Sequence, residues 1–291
     1  MNFSLSKIYN VPLSFYNKNE IVMKNFLFAF LLFVSLPIAG RQAEDTAVVS
    51  VEYKSAVRLY EGESPSEVYY RLDVGCGMSR FYCPKRELSE AVSDSLNAAN
   101  ADGMQVLDIM RAKNLPGAST AYTVYKNYPD RGRLTFTDYV ANYFKYEEPM
   151  ADLGWTPEEG DSVVCGYDCK KASATLRGRK WTVWYTVDIP AQDGPWKLYG
   201  LPGLILRAAD EDRNFIFEAV AVEKSGVKIA FDDTRSYQKC TPRELQEQYA
   251  LFEESRLGYL FKMAGVKKNK QTEALSRRTN PKKPCLMEFY E

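Results

Sequence analysis

Hydrophobic and polar residues alternate at period two through Val49-Ser50-Val51-Glu52-Tyr53-Lys54-Ser55-Ala56-Val57-Arg58-Leu59, the pattern of a half-buried strand. Ser66–Val74 repeats it, with Val68, Tyr70, Leu72 and Val74 on one face. The turn cluster Glu61-Gly62-Glu63-Ser64-Pro65 between the two predicts a hairpin or meander. The period then changes. From Pro84 to Ala112, Leu88, Val92, Leu96, Ala99, Gly103, Val106 and Met110 recur at steps of three and four, which predicts an amphipathic helix. Asn100-Ala101-Asp102-Gly103 is the place where it breaks, because Asn, Asp and Gly are weak helix formers.

Strand-like runs follow at 121–127, 133–147, 162–176, 180–189, 204–209, 213–223 and 227–231, with connectors of hairpin length. Short connectors favour antiparallel pairing over βαβ units. A second helix is predicted from Pro242, capped by Thr241, to Met263, where Gly265 stops it. The expected fold is therefore α+β: a large curved antiparallel sheet, a bowl or half-barrel, packed with two helices. Beyond Gly265 a polar, basic segment reads as a solvated connector, its sharper alternative a contact with anionic lipid headgroups.

One stretch breaks both periodicities. Ile189–Gly203 holds Pro190, Pro195 and Pro202 with Gly194, Gly200 and Gly203, so it is a run of fixed turns. Leu201-Pro202-Gly203-Leu204 has the composition of a type II turn, with Gly203 at positive φ and Leu201-Pro202 on the surface side. Leu204 and Leu206 are expected to face the core. Phosphate-cradling loops have another spacing and lead into a helix, which this stretch does not.

The N-terminal region changes the picture of where the protein works. Phe26–Leu36 is an apolar run preceded by Lys24 and followed by Pro37-Ile38-Ala39-Gly40, the plan of a signal peptide cleaved after Gly40. The run is too short for a transmembrane span, which needs about 20 apolar residues. Residues 1–22 lie awkwardly upstream, so Met23 is read as the start, 23–40 as the signal and 41–291 as one β-rich domain with a C-terminal helix and basic tail. A periplasmic or secreted protein is the expectation.

Charge and composition remove several functions. Residues 1–40 hold three bases and one acid, leaving 35 basic and 37 acidic residues in the mature chain, a balance that disfavours nucleic acid as a partner. Histidine is absent, which removes the usual general base and the commonest zinc ligand together. No metal, cofactor or catalytic residue is assigned. Six cysteines in an exported chain permit disulfides. Cys76 with Cys83, and Cys240 with Cys285, are the expected pairs, whereas an extended run would hold Cys165 and Cys169 about 13 Å apart, too far to bond.

Carboxylates are the plentiful catalytic side chains, and Asp188, Asp193 and Glu218 lie near the turn-rich stretch; a glycosidase needs two at a set separation. In the strand from Lys180 to Ile189, Trp181, Val183, Tyr185, Val187 and Ile189 share one face, and Trp184 falls on the other. Trp184 either packs under a second layer or stacks on a sugar ring or acyl chain.

Gly200-Leu201-Pro202-Gly203-Leu204-Ile205 resembles the signature of the GLPGLI family of secreted bacterial proteins, whose biochemical role is unassigned. The resemblance extends over about residues 160 to 210, through Gly166-Tyr167-Asp168-Cys169-Lys170-Lys171-Ala172, Arg177-Gly178-Arg179-Lys180-Trp181, Trp184-Tyr185-Thr186, Ile189-Pro190 and Gly194-Pro195-Trp196. Cys285-Leu286-Met287-Glu288-Phe289 is similar to the family's ending, with Cys285-Leu286 in place of its Asn-Pro. Regions similar to this family also form a non-catalytic, bowl-shaped domain ahead of some secreted glycan-releasing amidases. The resemblance implies a binding or accessory module whose partner is a small molecule, glycan, lipid or envelope protein. A carboxylate-dependent glycan hydrolase and a structural partner of an outer-membrane assembly are the alternatives.

Overall fold

The computed structural model describes residues 44–115, 122–255, 258–259 and 283–289. The expected signal peptide, the segment upstream of it and most of the basic tail lie outside these residues. Strand β1 (Asp45–Thr46) is followed by β2 (Val49–Val57), β3 (Ser66–Val74) and β4 (Ser79–Tyr82), then by helices α1 (Pro84–Ala98) and α2 (Gly103–Ala112). Next come β5 (Thr123–Lys126), β6 (Arg133–Tyr139), β7 (Tyr143–Pro149), β8 (Thr156–Val164), β9 (Tyr167–Leu176) and β10 (Arg179–Thr186). Then follow β11 (Leu204–Asp210), β12 (Phe215–Lys224), β13 (Lys228–Ile229), β14 (Gln238–Lys239) and helix α3 (Pro242–Glu254).

The long helical pattern is two helices, so the described residues hold three in all. Asn100 takes φ 56° and ends the first piece. Asp102 and Gln105 then cap the second reciprocally, Gln105 N donating to Asp102 Oδ1 at 2.9 Å and Asp102 N to Gln105 Oε1 at 3.2 Å. Thr241 and Glu244 form the same box at α3, with Pro242 in the first turn. The described helix closes at Glu254, nine residues short of the expected Met263. Two expected strands are hairpins. Run 133–147 turns at Ala141 (φ 54°), and run 162–176 turns at Cys165-Gly166 (φ 51° and 83°), the paired positive values that a tight two-residue hairpin requires.

Twelve strands make one open sheet in the order β14-β7-β6-β5-β4-β3-β2-β12-β11-β10-β9-β8, antiparallel except for the short β14–β7 pair, while β1 and β13 pair separately. Its curvature follows from one connection. β7 and β8 are ten positions apart in the sheet but consecutive in the chain, joined by residues 150–155. Flat strands would put them about 48 Å apart, whereas that link reaches at most about 25 Å. The sheet must therefore curl until its ends approach. Arg177 of the β9–β10 turn meets Glu148 of β7 at 3.1 Å, and Trp155 Nε1 in the link donates to Tyr199 O at 2.8 Å.

The inner face carries the main core, including Tyr53, Tyr70, Leu72, Phe81, Val124, Phe136, Trp181, Val183 and Phe217. The bridging segment 187–203 folds back over this face. Its turn differs from the expected type II form: Gly203 N donates to Leu201 O at 2.7 Å, a three-residue turn about Pro202, and Leu204 N donates to Ile189 O at 3.2 Å. Leu201 is buried rather than at the surface, because the turn tucks it under the sheet, and only Pro202 is exposed. Leu204, Ile205 and Leu206 are all fully buried. A bulge opposite Trp184/Tyr185 allows this, skipping one residue of β11 between the Arg207 and Ile205 pairings.

Neither expected disulfide forms: all six cysteines are free thiols. Cys76 and Cys83 stand at opposite ends of β4, and a strand of that length separates them by more than the about 7 Å a disulfide spans. Cys240 N bonds to Lys145 O beside β7, while Cys285 N bonds to Leu59 O beyond β2, on different parts of the sheet.

Helix α3 is seated on the sheet by Leu245 and by Tyr249, whose hydroxyl donates a short hydrogen bond to Asp138 of β6. Burial raises the Asp138 carboxyl to about 6, against the lowering effect of that hydroxyl and of the Tyr139 N–H. The folded state therefore holds this proton more tightly than the unfolded chain. The stability that this protonated carboxyl contributes is fully present below about pH 4 and is lost as pH rises through 6.

A Cβ on Gly203 would lie 2.0 Å from Thr186 O and 2.7 Å from Thr186 C, so Gly203→Ala should lose at least about 2 kcal/mol in denaturant unfolding through backbone collision; an unchanged midpoint would mean the loop does not sit against β10. Asp138→Asn should remove part of the pH dependence: relative to the variant, the wild type should lose roughly 2 kcal/mol between pH 4 and pH 7.5. Parallel pH profiles would contradict the buried carboxyl.

Candidate functional site

The segment with the signature is tied across the bowl by two buried lysines. Lys126, at the end of β5, is 1 % exposed and points inward in line with Val124. Its ammonium makes a short ion pair with Asp193 and donates to Gly194 O at 2.5 Å and Leu198 O at 3.4 Å. Burial pushes its pKa below the usual lysine range, and the Asp193 charge pulls back. Asp193 also accepts from Gly194 N at 2.7 Å, and its own carbonyl accepts from Ile205 N at 2.9 Å. Gly194 is required by closeness: a Cβ there would be 2.7 Å from Ile205 Cβ. Lys197 reaches the other end of the sheet, bonding Glu148 of β7 at 2.6 Å and Glu288 at 2.7 Å. Between the two lysines Trp196 is 1 % exposed and packs on Trp181 with ring centroids 5.2 Å apart.

Leu201, Gly203, Leu204 and Ile205 thus form a packed plug, with Gly200 and Pro202 at its exposed edge. None of their side chains bears a reactive group, and the carbonyl of Ile205 is occupied by the Tyr53 hydroxyl at 2.6 Å.

Above the plug lies a cavity of about 380 Å³. One wall is a row of stacked rings: Tyr70–Tyr122, Tyr122–Phe136 and Phe136–Tyr146 are spaced 5.4, 5.2 and 4.9 Å apart with interplanar angles of 25°, 24° and 10°. Trp196 and Phe215 line it from the plug and from β12, and Leu245, Tyr249 and Phe252 from α3. The last wall is the C-terminal stretch Pro284–Glu288. That stretch is pinned by Arg179, whose Nε and Nη2 donate to Leu286 O at 3.0 and 2.6 Å, and by Gln246 Nε2 donating to Glu288 O at 2.8 Å. Burial raises the pKa values of Tyr70, Tyr122, Tyr249 and Cys285, so these groups face the cavity in neutral form.

Trp184 is elsewhere. It lies half-buried on the outer face, directly paired with Lys171 of β9 and Arg207 of β11, and the Arg207 guanidinium stacks 4.9 Å from its ring centre. Cross-strand partners continue this row as Glu158, Lys171, Trp184, Arg207, Glu218 and Lys54, an alternation of acid and base interrupted by one indole. Trp184 therefore has cationic neighbours and no place in the cavity. The expected shared face holds for Trp181, Val183 and Tyr185, but β10 ends at Thr186 and Val187 is 49 % exposed. The three acids do not converge. Asp193 is bound to Lys126, Glu218 belongs to the outer row, and Asp188 is exposed beyond the end of β10.

Sequence reasoning missed Lys126 and the aromatic row. Tyr70 is on the face that alternation assigned to the core, but nothing local signals that rings of separate strands meet. Lys126 reads as an ordinary strand terminus.

A family model described as a protein of unknown function (Porph_ging) matches residues 168–207, which run from β9 through β10 and the plug into β11. No curated protein matches. Two crystal forms of PNGF-II, in space groups P21 and C2, are similar in structure: each has a TM-score of 0.46, with 16 % and 15 % identity, over 70 % of this chain. The chain spans about a third of the length of those proteins, 33 % and 32 %. No described helix is long and apolar enough to cross a membrane.

Proposed function

We propose that this chain is a non-catalytic binding or accessory protein of the GLPGLI type, exported to the periplasm or beyond, that holds a small, largely apolar molecule in its inner cavity. The observation that carries this reading is the cavity itself: about 380 Å³, walled by aromatic rings and by a C-terminal stretch held in place by hydrogen bonds. A cavity of this size, apolar and with few polar groups, is the usual form of a small-molecule site. Asp188, Asp193 and Glu218, the acids that the hydrolase reading named, lie apart and form no facing pair.

The neutral probe N-phenyl-1-naphthylamine should bind saturably with one site per chain and gain fluorescence. Leu59→Trp, at a wall position 40 % exposed, should weaken that binding at least about tenfold by filling the cavity, with little change in melting temperature. Trp184→Ala, on the outer face, should leave it unchanged. Absence of saturable binding, or loss of binding in the Trp184 variant alone, would overturn the reading. Export predicts that N-terminal sequencing of the protein from its host finds a mature chain beginning near Arg41; retention of Phe26–Leu36 would contradict it.

A further inference from the structure

The charges at the cavity wall narrow the chemistry of the occupant, an argument that rests on the binding reading above. Among the described residues, the charged side chains lining the cavity are Glu253 and Glu288, and no lysine or arginine lines it. Lys197, the cation bonded to Glu288, is divided between that carboxylate and Glu148, so its charge is already met. Glu288 is 7 % exposed, and its Oε1 has no hydrogen-bond partner. An anionic head group at this wall would meet that unpartnered acceptor oxygen and, among the described residues, no lining lysine or arginine, whereas a hydrogen-bond donor would satisfy it.

The rings narrow it further. Tyr70, Tyr122, Phe136 and Tyr146 stack on one another, so their faces are taken and the row offers little open π-face. Sugars stack on open ring faces, whereas an aliphatic chain needs only apolar contact along a row. We propose that the cavity takes a single-chain aliphatic amphiphile with a neutral or cationic, hydrogen-bond-donating head group, and rejects the anion of the same chain.

Competition against N-phenyl-1-naphthylamine at pH 7.5 tests this with decan-1-ol, decylamine and decanoate. The alcohol and the amine should displace the probe at least tenfold more tightly than decanoate. Each methylene removed from the alcohol should weaken binding about three- to fourfold. The variant Glu288→Gln should bring decanoate to within about threefold of decanol while probe binding persists. Decanoate binding as tightly as decanol in the wild type, an undiminished gap in the Glu288→Gln variant, or displacement by N-acetylglucosamine in preference to decanol would overturn the inference and leave the binding reading intact. If the probe itself does not bind, the binding reading falls and the inference falls with it.

Discussion

The ion pair between Lys126 and Asp193 is the contact on which the interior depends. A lysine that is 1 % exposed has given up its water, and the cost is met here by a carboxylate and two backbone carbonyls. All three partners belong to the segment that bridges β10 and β11, and the donor belongs to β5 on the far side of the bowl. One side chain thereby fixes the fold of a stretch rich in Pro and Gly, which has no secondary structure to hold it. Removing either partner would strand a charge in the core, so the pair specifies a conformation more than it adds net stability. With the segment fixed, Trp196 forms part of the cavity wall and Lys197 reaches Glu148 and Glu288.

The short β7–β8 link and this plug are two halves of one geometric solution. Joining strands ten positions apart by residues 150–155 curls the sheet, and curling leaves a concavity that its own side chains cannot fill. The plug fills one part, and α3 with the C-terminal stretch covers another, leaving the cavity between them. The two faces of the sheet diverge accordingly. Inside, rings stack from strand to strand; outside, the acids Glu158 and Glu218 are interleaved with the bases Lys171, Arg207 and Lys54, and Trp184 is held between two cations. Like residues meet like because antiparallel partners share a face.

Periodicity by itself determined the β-rich class, the inward face of β2, β3 and β10, the break near Asn100 and the capped start of α3. These depend on neighbours along the chain, where alternation, helical spacing and capping chemistry act over a few residues. The resemblance carried by Gly200–Ile205 marked the stretch that matters most, but local composition misjudged its form. Pro202-Gly203 reads as a type II turn because those residues suit one, yet Gly203 is needed because Thr186 lies against it. What the tertiary structure alone decided were contacts between residues far apart in the chain. Lys126 meets Asp193, Tyr249 meets Asp138, and Lys197 meets Glu288 across separations of 67, 111 and 91 residues. The same holds for the aromatic wall, whose four rings come from β3, from the residue just before β5, from β6 and from β7. Cysteine spacing predicted bonds that sheet geometry keeps apart, and the indole of Trp184, read as packed under a second layer or stacked on a ligand, lies half-buried on the outer face between two cations, since strand alternation gives the side of a sheet but not what covers it.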